Sequence, residues 1–338
     1  MTKNILEVLY QCDDNYATLT GVSMLSLMEN NKDISEININ LLDDGISKEN
    51  LDKTRELVLS YGRKLNVIET KEIKDELIKL NVEPYKGTYT TYYKIVTLGN
   101  IKTKADRILY LDGDTIINKS LLPLLSIDLT NSVMGASYDC LQNDYKKIIG
   151  LNPKDTYYNC GVMLVNKNEW NNQGCDRQIL DHFINKRSKY FIVDQDVINV
   201  LFHDKIKLIS PTYNLNSGFY IYGVEPSYKI YDLKEEYYYS TDCIKNVIKE
   251  GPVINHCMGG FTGRPWEQKN IHPQNDLYDK YLSLSPWKDE PKIMKKLIST
   301  FKTQRLLYKI LPRSVYGKIH RFSLQRYYMR EDGALKEE

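Results

Sequence analysis

The apolar run Ile108-Leu109-Tyr110-Leu111 is cut off by Asp112-Gly113-Asp114. A short apolar run bounded by turn-forming residues reads as a strand buried on both faces, the kind found inside an open α/β sheet. Such sheets open their ligand crevice at the carboxyl ends of the strands, which is where the two aspartates fall. Residues two apart on an extended chain share a face. Both carboxylates can therefore be aimed at one hard divalent cation that keeps positions free for phosphate oxygens. A tight turn is the competing reading, since Asp and Gly both favour turns.

The surrounding sequence has the rhythm of βαβ units. Ile5 to Tyr10 is strand-like, Tyr16 to Asn30 helix-like, and Glu36 to Leu42 a second strand. Ile46 to Tyr61 reads as a helix that Gly62 can end, ahead of a short strand Asn66 to Ile68 and a helix-like segment Glu69 to Leu80. Further strands are expected at Ser132 to Ser137, Gly161 to Asn166 and Pro252 to His256, with a short helix over Val197 to Phe202. A chain of 338 residues accommodates one large α/β domain with an appendage, or two modest domains, and 42% hydrophobic content permits a sizeable core. No Gly-x-Gly-x-x-Gly follows the first strand and no Gly-x-x-x-x-Gly-Lys-Ser/Thr occurs. These absences remove the usual dinucleotide and P-loop fingerprints, so acidic and amide side chains must do more of any nucleotide recognition.

Several side chains suit that task, each with a plainer alternative. Asp13 or Asp14 can accept from a uracil N–H or a ribose hydroxyl, and Asn15 offers both a donor and an acceptor. Capping of the following helix by Asp14 or Asn15 is the other reading. Lys94, after the tract Thr88-Tyr89-Thr90-Thr91-Tyr92-Tyr93, can face a diphosphate or be a solvated lysine on a helix surface. Asn159 can bind a sugar hydroxyl or form a turn. In Asp194-Gln195-Asp196, a helix dipole accounts for one acidic residue but leaves Gln195 unexplained. His256, at a strand end, can be structural or can complete the metal site. The loop after it, with Gly259, can fold Arg264 over phosphates.

The net charge of +2 hides an asymmetry. Lys292 to Arg330 holds 11 Lys/Arg and no Asp/Glu, leaving 35 basic against 44 acidic residues elsewhere. A nucleic-acid enzyme surrounds its catalytic groups with positive charge; here the body is acidic and the tail basic, so no nucleic-acid partner is expected. Apolar residues at 293, 294, 297, 298, 301, 307, 310 and 311 recur near helical spacing before Pro312. The tail is either an interfacial helix on an anionic membrane or a helix docked on the body. No segment approaches the ~20 consecutive apolar residues of a membrane span, and no signal-peptide pattern follows Met1. The expected location is cytoplasmic, at most peripheral on the inner face of the plasma membrane. Six cysteines without paired Cys-x-x-Cys spacing read as reduced and mostly structural.

In this order, the motifs resemble glycosyltransferase family eight, especially its bacterial lipopolysaccharide-type galactosyl- and glucosyltransferases. Cys12-Asp13-Asp14-Asn15-Tyr16 is similar to the uridine-binding opening, with Asp13 and Asn15 matching the nucleoside contacts. Ile108 to Asp114 resembles the metal-binding strand with its Asp-x-Asp, and Tyr158 to Asn166 the donor-sugar segment. Asp194-Gln195-Asp196 resembles the segment beside the reacting anomeric carbon, and His256 matches the third protein ligand of the metal. The resemblance covers the body through Trp266. It implies a GT-A fold: α/β with a Rossmann-like mixed central sheet, expected here over 1–290, to which the charge and apolar spacing of the tail add a basic helical segment over 291–338. It further implies Mn²⁺, a UDP-hexose donor carrying galactose or glucose, and retention of configuration. Acceptors in reach of that reading are a glycan, a lipid-linked glycan or a glycoprotein. Gln195 and Asp194 are then the catalytic candidates, and Asp13, Asn15, Lys94, Asp112, Asp114, Asn159, Gly259 and Arg264 the donor-site candidates, with Asp112, Asp114 and His256 holding the metal. Gln195 would stabilise the anomeric carbon in a same-face reaction, and Asp194 is the candidate nucleophile of a covalent route. Two departures stand out: Lys94 replaces an arginine of the galactosyltransferase relatives, and the loop from His256 to Trp266 is longer, with Arg264 where lysine is usual. A non-catalytic carbohydrate-binding protein and a sugar-nucleotide hydrolase are the alternative functions.

Overall fold

Ten strands form two sheets in the computed structural model, which describes residues 5–85, 87–185 and 190–336. They are β1 (Ile5–Cys12), β2 (Glu36–Asp43), β3 (Lys64–Glu69), β4 (Arg107–Leu111), β5 (Thr115–Ile117), β6 (Met134–Ala136), β7 (Val162–Asn166), β8 (Ile206–Leu208), β9 (Leu215–Asn216) and β10 (Ile254–His256). The large sheet runs β3-β2-β1-β4-β7-β6-β8. Its first four strands are parallel, and β7 then pairs antiparallel with both β4 and β6. A small sheet, β5-β10-β9, sets β10 antiparallel to β5 and parallel to β9.

The central strand behaves as its sequence requires. Leu109 and Leu111 join one apolar cluster and Ile108 and Tyr110 another, so the period of two buries both faces of β4. The helix Ala17–Glu29 shows little amphipathicity because it is buried nearly all round, as expected for a helix enclosed by protein. Gly21 makes that possible: a Cβ there would lie 2.2 Å from the Trp287 ring. The connections from β1 to β2 and onward to β4 leave their carboxyl ends side by side at a reversal of strand order. This reversal marks the crevice expected of an open α/β sheet. The small sheet then carries His256 to Asp114, since His256 pairs with Thr115 in the β10–β5 register.

Element boundaries differ locally from the sequence reading. The expected helix at Tyr16 begins as a 3₁₀ turn, Asp14–Tyr16, and its cap is Asp13, whose side chain accepts from the Tyr16 N–H. Asp14 instead accepts from the Ser47 N–H and the Asn50 amide at 2.8 Å each. Asp194, Gln195 and Asp196 lie inside the helix Val193–Phe202 and do not precede it. All six cysteines are free.

The basic tail forms two helices, Ser299–Ile310 and Arg313–Lys336. Phe301, Leu307, Tyr308, Leu311, Tyr316 and Leu324 pack against Ile221, Tyr222, Ile230 and Phe261. Arg305 donates to the Phe261 carbonyl at 2.9 Å, and Tyr308 to that of Ile221 at 2.7 Å. Met294, Ile298, Leu306, Ile310, Phe322 and Met329 of the same segment are exposed. Among the described residues no helix is long and apolar enough to cross a membrane.

Candidate metal and donor site

Asp112 and Asp114 lie in the turn from β4 to β5, as the tight-turn reading requires, and both line the cleft at the strand ends. The Asp112 N–H donates to the Gly161 carbonyl at 2.8 Å and its own carbonyl accepts from Thr115 Oγ1 at 2.8 Å. Gly113 is required there, because a Cβ would lie 2.3 Å from Thr20 Oγ1. Ligand atoms of Asp112, Asp114 and His256 all fall within 4.8 Å of one another. His256 Nε2 is 3.0 Å from Asp114 Oδ1 and 3.8 Å from Asp112 Oδ2. Its other nitrogen, Nδ1, is 3.0 Å from Asn214 Oδ1. Two hard carboxylates and one oriented imidazole form a donor set that suits a divalent cation. Gly161 clears the space beside it, since a Cβ would meet His256 Cε1 at 2.3 Å and Asp112 Oδ2 at 2.8 Å.

The charges are tightly matched. Burial opposes ionisation of Asp114, but His256 and then Arg264 hold its carboxyl below the usual carboxylate range. Burial likewise opposes charging of His256, and Asp114, Asp112 and Asp139 together outweigh it, raising the ring above its ordinary value. Arg264 Nη1 sits 3.4 Å from Asp114 Oδ2. Gly259 permits that approach, because a Cβ there would lie 2.5 Å from Arg264 Cγ.

Lys94 is not a surface lysine. It lies on the helix Thr90–Thr97 with its side chain 4% exposed, and Nζ bridges Asp194 Oδ2 at 2.6 Å and Asp112 Oδ1 at 3.2 Å. Burial disfavours its charge, but Asp112 and Asp194 together raise its pKa well above the ordinary lysine value. Tyr110, two residues before Asp112 and on the same face of the strand, donates to Asp112 Oδ1 at 2.5 Å and places its ring under the ammonium.

Gln195 is held at both ends: Oε1 accepts from the Cys160 N–H at 3.0 Å and Nε2 donates to Asp139 Oδ2 at 2.8 Å. Asn159 donates to the same oxygen at 3.1 Å. Asp196 turns away from the cleft, where burial lifts its carboxyl to about 7 against hydrogen bonds from Tyr145, Tyr157 and the Ile192 N–H. The cleft itself is lined by Asp13, Tyr16, Thr90, Lys94, Asp112, Asp114 and Asp194 among others. Of the two nucleoside candidates, Asp13 faces this cleft. Asn15 lines a neighbouring cavity with Trp266 and Glu290.

Four residues of the network escape a motif reading: Gln11, whose Oε1 accepts from the Lys94 N–H at 3.1 Å, with Asp139, Asn214 and Asn216. The alternation Asn214-Leu215-Asn216 is the sequence signal that points to the last two, since two amides on one face of a short strand need partners.

Residues 7–270 match the model of Glycosyl transferase family 8. The chain belongs to that family. Among its relatives, general stress protein A of Bacillus subtilis is 26% identical over 287 residues, covering 84% of this chain and 95% of that protein. The lipopolysaccharide 1,2-glucosyltransferase of Escherichia coli is 26% identical over 317 residues, covering 90% of this chain and 87% of the relative. The galactosyltransferase LgtC, solved with donor and acceptor sugar analogues, superposes with a TM-score of 0.65 at 21% identity, covering 88% of this chain and 99% of LgtC. The mixed sheet is thus a GT-A fold, and the chain is a family 8 glycosyltransferase with a candidate site for a divalent cation.

Proposed function

We propose that this family 8 chain is a retaining transferase that moves galactose or glucose from a UDP-sugar to a hydroxyl of a glycan, a lipid-linked glycan or a glycoprotein. The observation that carries the reading is the meeting of Asp112, Asp114 and His256 beside a cleft that also receives Asp13, Lys94 and Asp194. Asp112, Asp114 and His256 would hold Mn²⁺, which when bound supplies positive charge that stabilises departing UDP without a protonated leaving group. Arg264, already against Asp114, would neutralise further diphosphate charge. Asp13 would accept from the nucleoside and exposed Tyr16 would cover the base. Asn159 and Asp194 would orient sugar hydroxyls, and Gln195 Oε1 would use its second lone pair toward the anomeric carbon while the acceptor attacks on the face that UDP leaves. Lys94 pairs with Asp194 at 2.6 Å, which favours a held, orienting carboxylate over a free nucleophile. This supports the same-face route over the covalent one.

The tail supports work at a cytoplasmic membrane surface. Its exposed apolar residues and the 11 basic residues of Lys292 to Arg330 lie on a segment that also packs other side chains on the body. Each cation near an anionic surface contributes ~1 kcal/mol, which supports a reading of reversible attachment at the inner face of the plasma membrane. A screen of UDP-galactose, UDP-glucose and their N-acetyl forms, with released UDP and glycosylated product measured separately, tests the reading. Product from galactose or glucose donor is expected; UDP release without product under every acceptor tried would assign a hydrolase instead, and no donor turnover would favour a binding protein.

A further inference from the structure

We infer that Asn214 is a positioning residue of the metal site: it holds His256 in the tautomer with hydrogen on Nδ1, leaving Nε2 to face Asp112 and Asp114. The inference rests on the reading of those three side chains as metal ligands.

The direction of each hydrogen bond is forced by groups with only one possible role. A backbone N–H only donates and a carboxylate only accepts. Asn159 is clamped between one of each: its Oδ1 accepts from the Gly161 N–H at 2.9 Å and its Nδ2 donates to Asp139 Oδ2 at 3.1 Å. Its amide therefore has one orientation. The same Oδ1 is 2.8 Å from Asn214, which must present Nδ2 as donor. Asn214 Oδ1 then faces His256 Nδ1 at 3.0 Å and must accept, so Nδ1 carries hydrogen. All three side chains are buried, at 6%, 4% and 4% exposure for Asn159, Asn214 and His256, so water does not readily substitute for a missing link.

The consequence concerns the metal. A ligating histidine donates its second ring N–H to an outer acceptor that fixes both tautomer and ring orientation, and loss of such an acceptor costs roughly 10–100-fold in metal affinity. Here the acceptor is a neutral amide whose own direction is set two links away, by a backbone group of β7's leading loop and by Asp139. Gln195 donates to the same Asp139 oxygen, at 2.8 Å, so the metal ligand and the reaction-centre amide share one anchoring carboxylate.

The test combines two readouts. In metal-free wild-type protein, where the Asp114 carboxylate 3.0 Å from Nε2 also draws hydrogen there, ¹⁵N NMR of the histidines at a pH that neutralises the ring should show His256 retaining hydrogen on Nδ1. A resonance pattern with the hydrogen on Nε2, or a mixture, overturns the inference without any variant. Mn²⁺ binding followed by electron paramagnetic resonance should then fall by about 10–100-fold in Asn214→Leu, which removes the acceptor, and should be retained in Asn214→Asp, which keeps an acceptor but loses the donor to Asn159. A merely structural amide would predict damage in both variants, and equal loss in both contradicts the inference. Wild-type affinity in Asn214→Leu contradicts it as well. Failure of wild-type protein to bind Mn²⁺ would instead count against the metal-site reading, while the tautomer measurement still stands by itself.

Discussion

Gly161→Ala places one methyl group against two proposed metal ligands at once. The added Cβ would lie 2.3 Å from His256 Cε1, 2.9 Å from His256 Nδ1 and 2.8 Å from Asp112 Oδ2. Ordinary carbon contacts begin near ~3.5 Å, so the imidazole has to retreat by about 1 Å. It has little freedom to do so, because His256 ends β10 and its Nδ1 is tied to Asn214. Metal ligands tolerate departures of only about 0.2 Å. Mn²⁺ affinity should therefore fall by at least about 10–100-fold, the loss typical of a disturbed ligand orientation. The overpacking itself should cost about 1–3 kcal/mol. Gly135→Ala is the control: its Cβ would press on Ile209 Cγ2 at 2.9 Å in β6, within the sheet and not against a metal ligand. Mn²⁺ titration by electron paramagnetic resonance, paired with urea unfolding, separates the two costs. Wild-type metal affinity in folded Gly161→Ala would refute the geometry argued for the site.

Three other perturbations follow from the same structure. Burial raises the folded-state pKa of Asp196 to about 7, so the native state keeps a proton that the unfolded chain releases; this group costs stability progressively as pH rises from the ordinary carboxylate range through about 7, by up to roughly 4 kcal/mol. Asp196→Asn should flatten that part of the pH–stability curve, and an unchanged curve shape counts against the assignment. Gln195→Ala should lower kcat with UDP affinity nearly intact, because the amide acts at the reacting carbon; equal large losses in both would place it in general donor binding. Replacing Met294, Ile298 and Phe322 by serine should reduce sedimentation with phosphatidylglycerol vesicles and leave turnover on a soluble acceptor intact, since these three are exposed while Tyr316 of the same tail is 1% exposed. Unaltered vesicle binding would remove the tail's apolar face as the anchor.

The parts legible in the sequence are those whose physics is local. The unbroken apolar run Ile108 to Leu111 predicts a strand buried on both faces, and the strand end places Asp112 and Asp114 at the crevice. Lys94 shows where local reasoning stops: its helix could be anticipated, but its burial depends on Asp112 and Asp194 arriving from β4 and from Val193–Phe202. The cap at the first helix falls on Asp13 and not on its neighbours because Asp14 is drawn off by Ser47 and Asn50, more than 30 residues away in sequence. His256 reaches Asp114 through antiparallel pairing of β10 with β5, a long-range register that no motif spacing encodes. Asp139, Asn214 and Asn216 belong to no motif; beyond the Asn-Leu-Asn alternation, their roles appear only once Asp139 is seen to collect Asn159, Gln195 and Asn216, and Asn214 to link Asn159 with His256.

The measurement that bears most directly on the account is transfer from UDP-galactose and UDP-glucose by enzyme rigorously stripped of metal, before and after addition of Mn²⁺, with the glycosylated product quantified. The site of Asp112, Asp114 and His256 predicts negligible product from stripped enzyme and recovery when Mn²⁺ is restored, with no recovery in folded Asp112→Asn or Asp114→Asn. Full transfer by the stripped enzyme, or wild-type turnover by both variants at limiting metal, would contradict it.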